Sequence, residues 1–151
     1  MNVLLIEDDD FKAGKIKRIV EACDHVSSIR VARSVNSGLI ALAAEIPDFL
    51  ILDMSLTTFD LGPDEGGGRP RNFGGIEIFE ELARLELECP VVVLTQFETF
   101  SKDGRVVNIP EIRKALKRDF PENFKAIIYY DVEGQWKGRL DSLLARYGVG
   151  R

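Results

Sequence analysis

Four short apolar runs, each closed by a polar residue, restrict what this chain can fold into. Val3-Leu4-Leu5-Ile6 leads into Glu7-Asp8, Phe49-Leu50-Ile51-Leu52 into Asp53, Val91-Val92-Val93-Leu94 into Thr95, and Ala126-Ile127-Ile128-Tyr129-Tyr130 into Asp131. Runs of four or five apolar, largely β-branched residues without alternation suit strands covered on both faces, and they predict a parallel sheet between helices. In such sheets ligands bind beyond the carboxyl ends of the strands. Glu7, Asp8, Asp53 and Thr95 are therefore expected to meet in one crevice.

Helical patterns separate the runs, giving the order β-α-β-α-β-α-β-α-β-α once Ser28 to Ala32 is added as a weaker strand. Ile16, Ile19, Val20 and Cys23 form one apolar stripe. Ser34 is placed to cap a helix carrying Leu39, Leu42, Ala43 and Ile46, which Pro47 ends. Ile76, Phe79, Leu82 and Ala83 make a third stripe, closed by Cys89-Pro90. A fourth runs from about Pro110 through Ile112, Ala115 and Leu116 to Phe120. Trp136, Leu140, Leu143, Leu144 and Tyr147 make the last, with Gly148 as its cap. Right-handed crossovers leave few topologies for such a chain, and the doubly wound α/β sheet of order 2-1-3-4-5, flavodoxin-like with helices on both faces, is the commonest at this size. That order sets strands 1 and 3 side by side, with Glu7, Asp8 and Asp53 in the crevice between them.

The 151 residues suffice for one core and leave no room for a second domain. A net charge of -5 argues against a nucleic-acid partner, because phosphate-backbone binding relies on clustered Lys and Arg. No stretch reaches the ~20 apolar residues of a membrane span, and none resembles a signal-peptide core, so a soluble, cytoplasmic protein without a membrane partner is expected. Cys23 and Cys89 lack metal or redox spacing and read as buried thiols. His25 is the single histidine, which excludes a histidine-based zinc site. Gly66-Gly67-Gly68 lacks the Gly-Lys-Ser/Thr ending of a phosphate-binding loop and reads as a lid or linker. Trp136, on an apolar stripe, reads as core.

Carboxylates that converge repel one another unless a cation is bound or one group keeps its proton. Oxygen-only ligands select a hard ion, and Mg²⁺ suits one or two carboxylates combined with phosphate oxygens. An aspartate beside such an ion can accept a phosphoryl group as a mixed anhydride. The plainer reading is that Asp8, Asp9 or Asp10 caps the first helix. Capping alone would not call for Asp53 or for Thr95 after other strands.

Val3-Leu4-Leu5-Ile6-Glu7-Asp8-Asp9 resembles the opening of receiver domains of two-component response regulators. Phe49-Leu50-Ile51-Leu52-Asp53-Met54-Ser55-Leu56 is similar to that family's segment around the phosphorylated aspartate, and Val91-Val92-Val93-Leu94-Thr95 to its strand bearing the switch hydroxyl. The resemblance covers the whole chain, read as one stand-alone domain over 1–151 with enlarged loops at about 56–75 and 96–108. It implies Asp53 as phosphoacceptor, Asp8 as a direct Mg²⁺ ligand, Glu7 as a ligand through water, and the Ser55 backbone carbonyl as a further ligand. Thr95 would bond a phosphoryl oxygen, with Tyr129 or Tyr130 as the aromatic that changes rotamer. A histidine kinase or phosphotransfer protein would be the donor, a downstream protein the target, and a homodimer stays open.

One departure stands out. The family places a lysine at the end of the fifth strand, usually before proline, whereas this chain has Tyr130-Asp131-Val132-Glu133. Lys137 is a few residues late but could substitute, as could Lys102 from the second long loop. Arg105, Arg69 and Arg71 also lie in the long loops. Three functions compete. The first is a receiver phosphorylated on Asp53, with at most autophosphorylation and autodephosphorylation as chemistry. The second is a pseudo-receiver that docks a partner without phosphorylation, motivated by Asp131 and Glu133. The third is a phosphatase of haloacid-dehalogenase type built on Asp8-x-Asp10, against which Phe11-Lys12 stands in place of small turn residues.

Overall fold

The computed structural model describes residues 1–56, 74–102 and 104–148. Strands β1 (Asn2–Ile6), β2 (Ser28–Ala32), β3 (Phe49–Leu52), β4 (Val91–Thr95) and β7 (Phe124–Tyr129) form one parallel sheet in the order β2-β1-β3-β4-β7. This is the expected doubly wound order, with the fifth strand of the sheet numbered seven because two further strands precede it. The helices among the described residues are α1 (Asp10–Glu21), α2 (Val35–Ala44), α3 (Gly74–Arg84), α4 (Ile109–Asp119) and α5 (Gln135–Gly148).

Alternate residues of the buried strands feed two separate cores. Leu4, Ile6, Leu50, Leu52, Val91 and Val93 face α2, α3 and α4, while Val3, Leu5, Phe49, Ile51, Val92 and Leu94 face α1 and α5. Each fully buried aliphatic side chain contributes about 1.5–3 kcal/mol relative to exposure, so both faces of the central strands must stay apolar. Unbroken runs are the result.

The helix ends follow the side chains that cap them. Asp9 accepts from the backbone N–H groups of Phe11 and Lys12, at 2.9 and 3.1 Å, and starts α1. Ser34 and Ser37 form a reciprocal capping box at α2, and Asn108 and Glu111 form another at α4. α5 extends through Gly148, one residue beyond the expected stop. Cys23 and Cys89 are buried thiols, His25 lies exposed in a turn, and Trp136 is buried in the α5 core.

The connection after β4 differs from the loop expected at 96–108. Thr99–Lys102 (β5) and Arg105–Asn108 (β6) pair antiparallel, with Phe100 opposite Val107 and Ser101 opposite Val106. Phe100 is buried and Val107 half-buried against the α4-side core, whereas Val106 is exposed. Gly104 takes a φ of +74° in the turn, where a glycine carries no steric cost. The Gly66-Gly67-Gly68 stretch, Arg69 and Arg71 fall outside the described residues, as does most of the connection at 56–75.

Candidate functional site

Register sets the site. Ile6 pairs with Leu52 at the ends of neighbouring strands, so the next residues, Glu7 and Asp53, emerge together at the carboxyl edge of the sheet. Asp53 N–H donates to the Ile6 carbonyl at 3.0 Å and Glu7 N–H to the Ala32 carbonyl at 2.9 Å, extending the ladder past the last strand residues. One carboxylate oxygen each from Glu7, Asp8 and Asp53 lies within 4.8 Å of the other two. Glu7 and Asp53 are buried, Asp8 half-buried. The start of α3 presses on this edge: Gly75 N–H donates to the Met54 carbonyl, and a Cβ on Gly75 would fall 2.8 Å from the Asp53 carbonyl oxygen. Only glycine fits there without a shift.

The acidic run divides its work. Glu7 and Asp8 face the crevice, Asp9 caps α1, and Asp10 pairs with Arg33 on the surface, its Oδ1 3.0 Å from Arg33 Nε. The capping role expected of one of Asp8, Asp9 and Asp10 belongs to Asp9, and it coexists with the acidic cluster.

A cation reaches the cluster from helix α1, not from the strand ends or the long loops where one was expected. Lys12, in the first turn of α1, is 1% exposed. Its Nζ lies 2.6 Å from Glu7 Oε1 and 3.8 Å from Asp53 Oδ1, and donates to the Leu94 carbonyl at 2.8 Å. The Tyr130 ring covers it, with the centroid 5.6 Å away. A signal for this existed. Lys12 falls four residues before Ile16 and eight before Val20, on the apolar stripe itself, and an ammonium on a buried stripe needs an anionic partner.

The charges do not balance with the protein alone. Burial, then the Asp53 charge, push the Glu7 carboxyl from 4.5 up to about 9, against the opposing pull of Lys12. Asp53 is also raised, by burial first; Lys12 opposes this, Asp8 adds to it, and an N–H from Ser55 at 3.3 Å opposes it. Burial lowers Lys12, but Asp53 and Glu7 outweigh it and hold the ammonium above its ordinary value. Glu7 Oε1 has the ammonium as an ionic neighbour, yet no donor is aligned on it for a hydrogen bond. A buried, under-coordinated carboxylate oxygen in an all-oxygen cluster with surplus negative charge fits a hard divalent cation. Glu7, Asp8 and Asp53 are the groups that could hold one.

The remaining expected residues are placed as follows. Thr95 is fully buried, and its Oγ1 accepts from Phe97 N–H at 3.1 Å. Tyr129 pairs in register with Thr95 and is 37% exposed, whereas the Tyr130 ring packs tilted against Trp136, centroids 4.8 Å apart, beside Lys12. The two tyrosines, the last residue of β7 and the one after it, thus point to opposite faces of the sheet. Lys137 is exposed, its Nζ 6.0 Å from the Trp136 ring. Arg105 pairs with Glu111 at 3.1 Å. Lys102 belongs to β5, and its side chain lies outside the described residues. Asp131 accepts backbone N–H bonds from Gln135 and Trp136, at 2.9 and 2.8 Å, so its carboxylate serves the start of α5.

Among the described residues no helix is long and apolar enough to cross a membrane. No protein-family model matches the chain. It is 25% identical over 140 residues to the Detocs response regulatory protein DtcB of Enterobacter cloacae (strain JD6301), covering 91% of this chain and 93% of that protein. It is 26% identical over 131 residues to the Vibrio alginolyticus protein of the same name, covering 85% and 88%. Among solved structures, the Mn²⁺-bound response regulator Rcp1 superposes with a TM-score of 0.67 at 14% identity, covering 99% of this chain and 96% of that one. The receiver domain of a LuxO repressor protein from Vibrio parahaemolyticus gives 0.67 at 16%, covering 97% and 88%.

Proposed function

We propose, on the premise that this chain has the receiver fold of two-component response regulators, that it accepts a phosphoryl group on Asp53 and signals through the resulting change of shape. The donor would be a histidine kinase or phosphotransfer protein in the cytoplasm, and the recipient of the signal a downstream protein. The observation that carries this reading is Asp53 itself: a buried carboxylate at a strand end, with oxygens of Glu7 and Asp8 within 4.8 Å and an ammonium 3.8 Å away.

In the step proposed, an Asp53 carboxylate oxygen forms a bond to phosphorus while the bond from phosphorus to the donor's imidazole nitrogen breaks. The electron pair stays on that nitrogen, and the product is an acyl phosphate. Such a transfer needs positioning and charge neutralisation more than covalent assistance. Bound Mg²⁺ would neutralise charge on the carboxylates and the transferring oxygens. Glu7, Asp8 and the Ser55 carbonyl would orient it, and the Ser55 N–H holds Asp53 Oδ1 in place. Thr95 would exchange its bond to Phe97 N–H for a phosphoryl oxygen, with Tyr129, its register partner, as the aromatic that responds.

The pseudo-receiver reading is not favoured. Its motive was acidic residues where a cation was expected, but Asp131 is occupied with backbone N–H groups of α5 and a cation stands beside Asp53. Purified protein given Mg²⁺ and acetyl phosphate should gain the mass of one phosphoryl group in a base-labile linkage. The Asp53→Asn variant should gain none. No gain in the parent protein, or a gain that persists in the variant, overturns the proposal.

A further inference from the structure

We propose that Lys12, reaching in from the first turn of α1, binds the phosphoryl group on Asp53 and exchanges Glu7 for it. This rests on the phosphoacceptor reading and assigns a residue to it. An ammonium has three N–H donors. One is anchored on the Leu94 carbonyl at 2.8 Å, which fixes Nζ at the end of β4, next to Thr95. A second direction meets Glu7 Oε1, where contact is ionic without an aligned hydrogen bond. The third faces Asp53 Oδ1 at 3.8 Å, beyond hydrogen-bond reach but within ion-pair range.

A phosphoryl group on that carboxylate turns one negative charge into close to two and sets three acceptor oxygens beside a cation buried under the Tyr130 ring. Charge-assisted bonds to phosphate are stronger than the unaligned contact with Glu7, so the ammonium turns to the phosphoryl oxygens while keeping Leu94. Occupancy of Asp53 thereby reaches β4 and Tyr130 through one side chain. Helix α1, rather than the end of β7, carries the charge.

Beryllofluoride, which adds to carboxylates as a tetrahedral phosphoryl mimic, is the probe. In the parent protein with Mg²⁺, its addition should shift the Lys12 side-chain amine resonance and slow its proton exchange. Lys12→Met and Lys12→Gln, checked for folding by circular dichroism, should bind beryllofluoride about tenfold more weakly or worse. Both should bind Mg²⁺ alone at least as well as the parent, since a competing cation has been removed. An unmoved Lys12 resonance in loaded parent protein, or variants that bind the mimic as the parent does, overturns the assignment to Lys12 alone. A parent protein that neither binds the mimic nor accepts a phosphoryl group overturns the phosphoacceptor reading along with it. Should neither variant fold, the parent resonance decides.

Discussion

Glu7, Lys12 and Asp53 form a buried triad in which two carboxyl groups share one ammonium, and Asp8 adds negative charge at the rim. The consequence is a pH dependence whose sign can be worked out. Glu7 has its carboxyl raised from 4.5 to about 9, so between those values the folded protein holds a proton that the unfolded chain has released. Stability from this group is fully present below 4.5 and is lost as pH rises towards 9, and the raised Asp53 acts in the same direction. With divalent ions chelated, the thermal midpoint should fall steadily between ~pH 5.5 and ~pH 8.5, and saturating Mg²⁺ should flatten the slope by replacing the proton. A metal-free midpoint that is level or rises across that range contradicts the charge assignment.

The acidic half of this triad was legible in the chain because each carboxylate directly follows an apolar strand. The basic half was overlooked for a physical reason. A cation was expected from the strand ends and the long loops, whereas Lys12 enters from a helix whose stripe is otherwise hydrocarbon. Its stem packs as one of them and only its ammonium differs.

At the scale of elements, the hairpin β5–β6 and the start of α5 carry separate predictions. Phe100 anchors the hairpin to the α4-side core with 2% exposure, while Val106 on the opposite face is 66% exposed. Phe100→Ala should cost about 3–5 kcal/mol in urea unfolding, against no more than about 0.5 kcal/mol for Val106→Ala. Equal costs would mean that the hairpin does not dock as described. Asp131→Ala removes the acceptor for the Gln135 and Trp136 N–H groups, so it should lower the thermal midpoint by a few degrees and leave acyl-phosphate labelling of Asp53 unchanged. Faster labelling in that variant would show that Asp131 repels the phosphoryl group after all. The hairpin could have been read from sequence: Asp103-Gly104 between Phe100-Ser101-Lys102 and Arg105-Val106-Val107 is a strong two-residue turn signal. Its length between larger elements suggests a loop, while its alternation marks a hairpin. The charge of Asp131 suggests repulsion of a phosphoryl group, but its bonds to helix N–H groups define its part.

For the whole molecule, element order and sheet order followed from the sequence because every buried strand was an unbroken apolar run and every crossover helix had one stripe. Handedness then left little choice of topology. What the sequence could not place was which charges face each other across the crevice, since that depends on side-chain reach from separate elements. The proposed function therefore turns on a crevice in which β1 and β3 contribute carboxyl groups and α1 an ammonium around the proposed phosphoacceptor, Asp53. A crystal structure of the protein with Mg²⁺ and beryllofluoride tests this most directly. The mimic should be bonded to Asp53, the ion should lie among Glu7, Asp8 and Asp53, and Lys12 Nζ should be within hydrogen-bond distance of a fluoride while still bonded to the Leu94 carbonyl. An unmodified Asp53 under saturating mimic, with Lys12 still paired to Glu7, would contradict it.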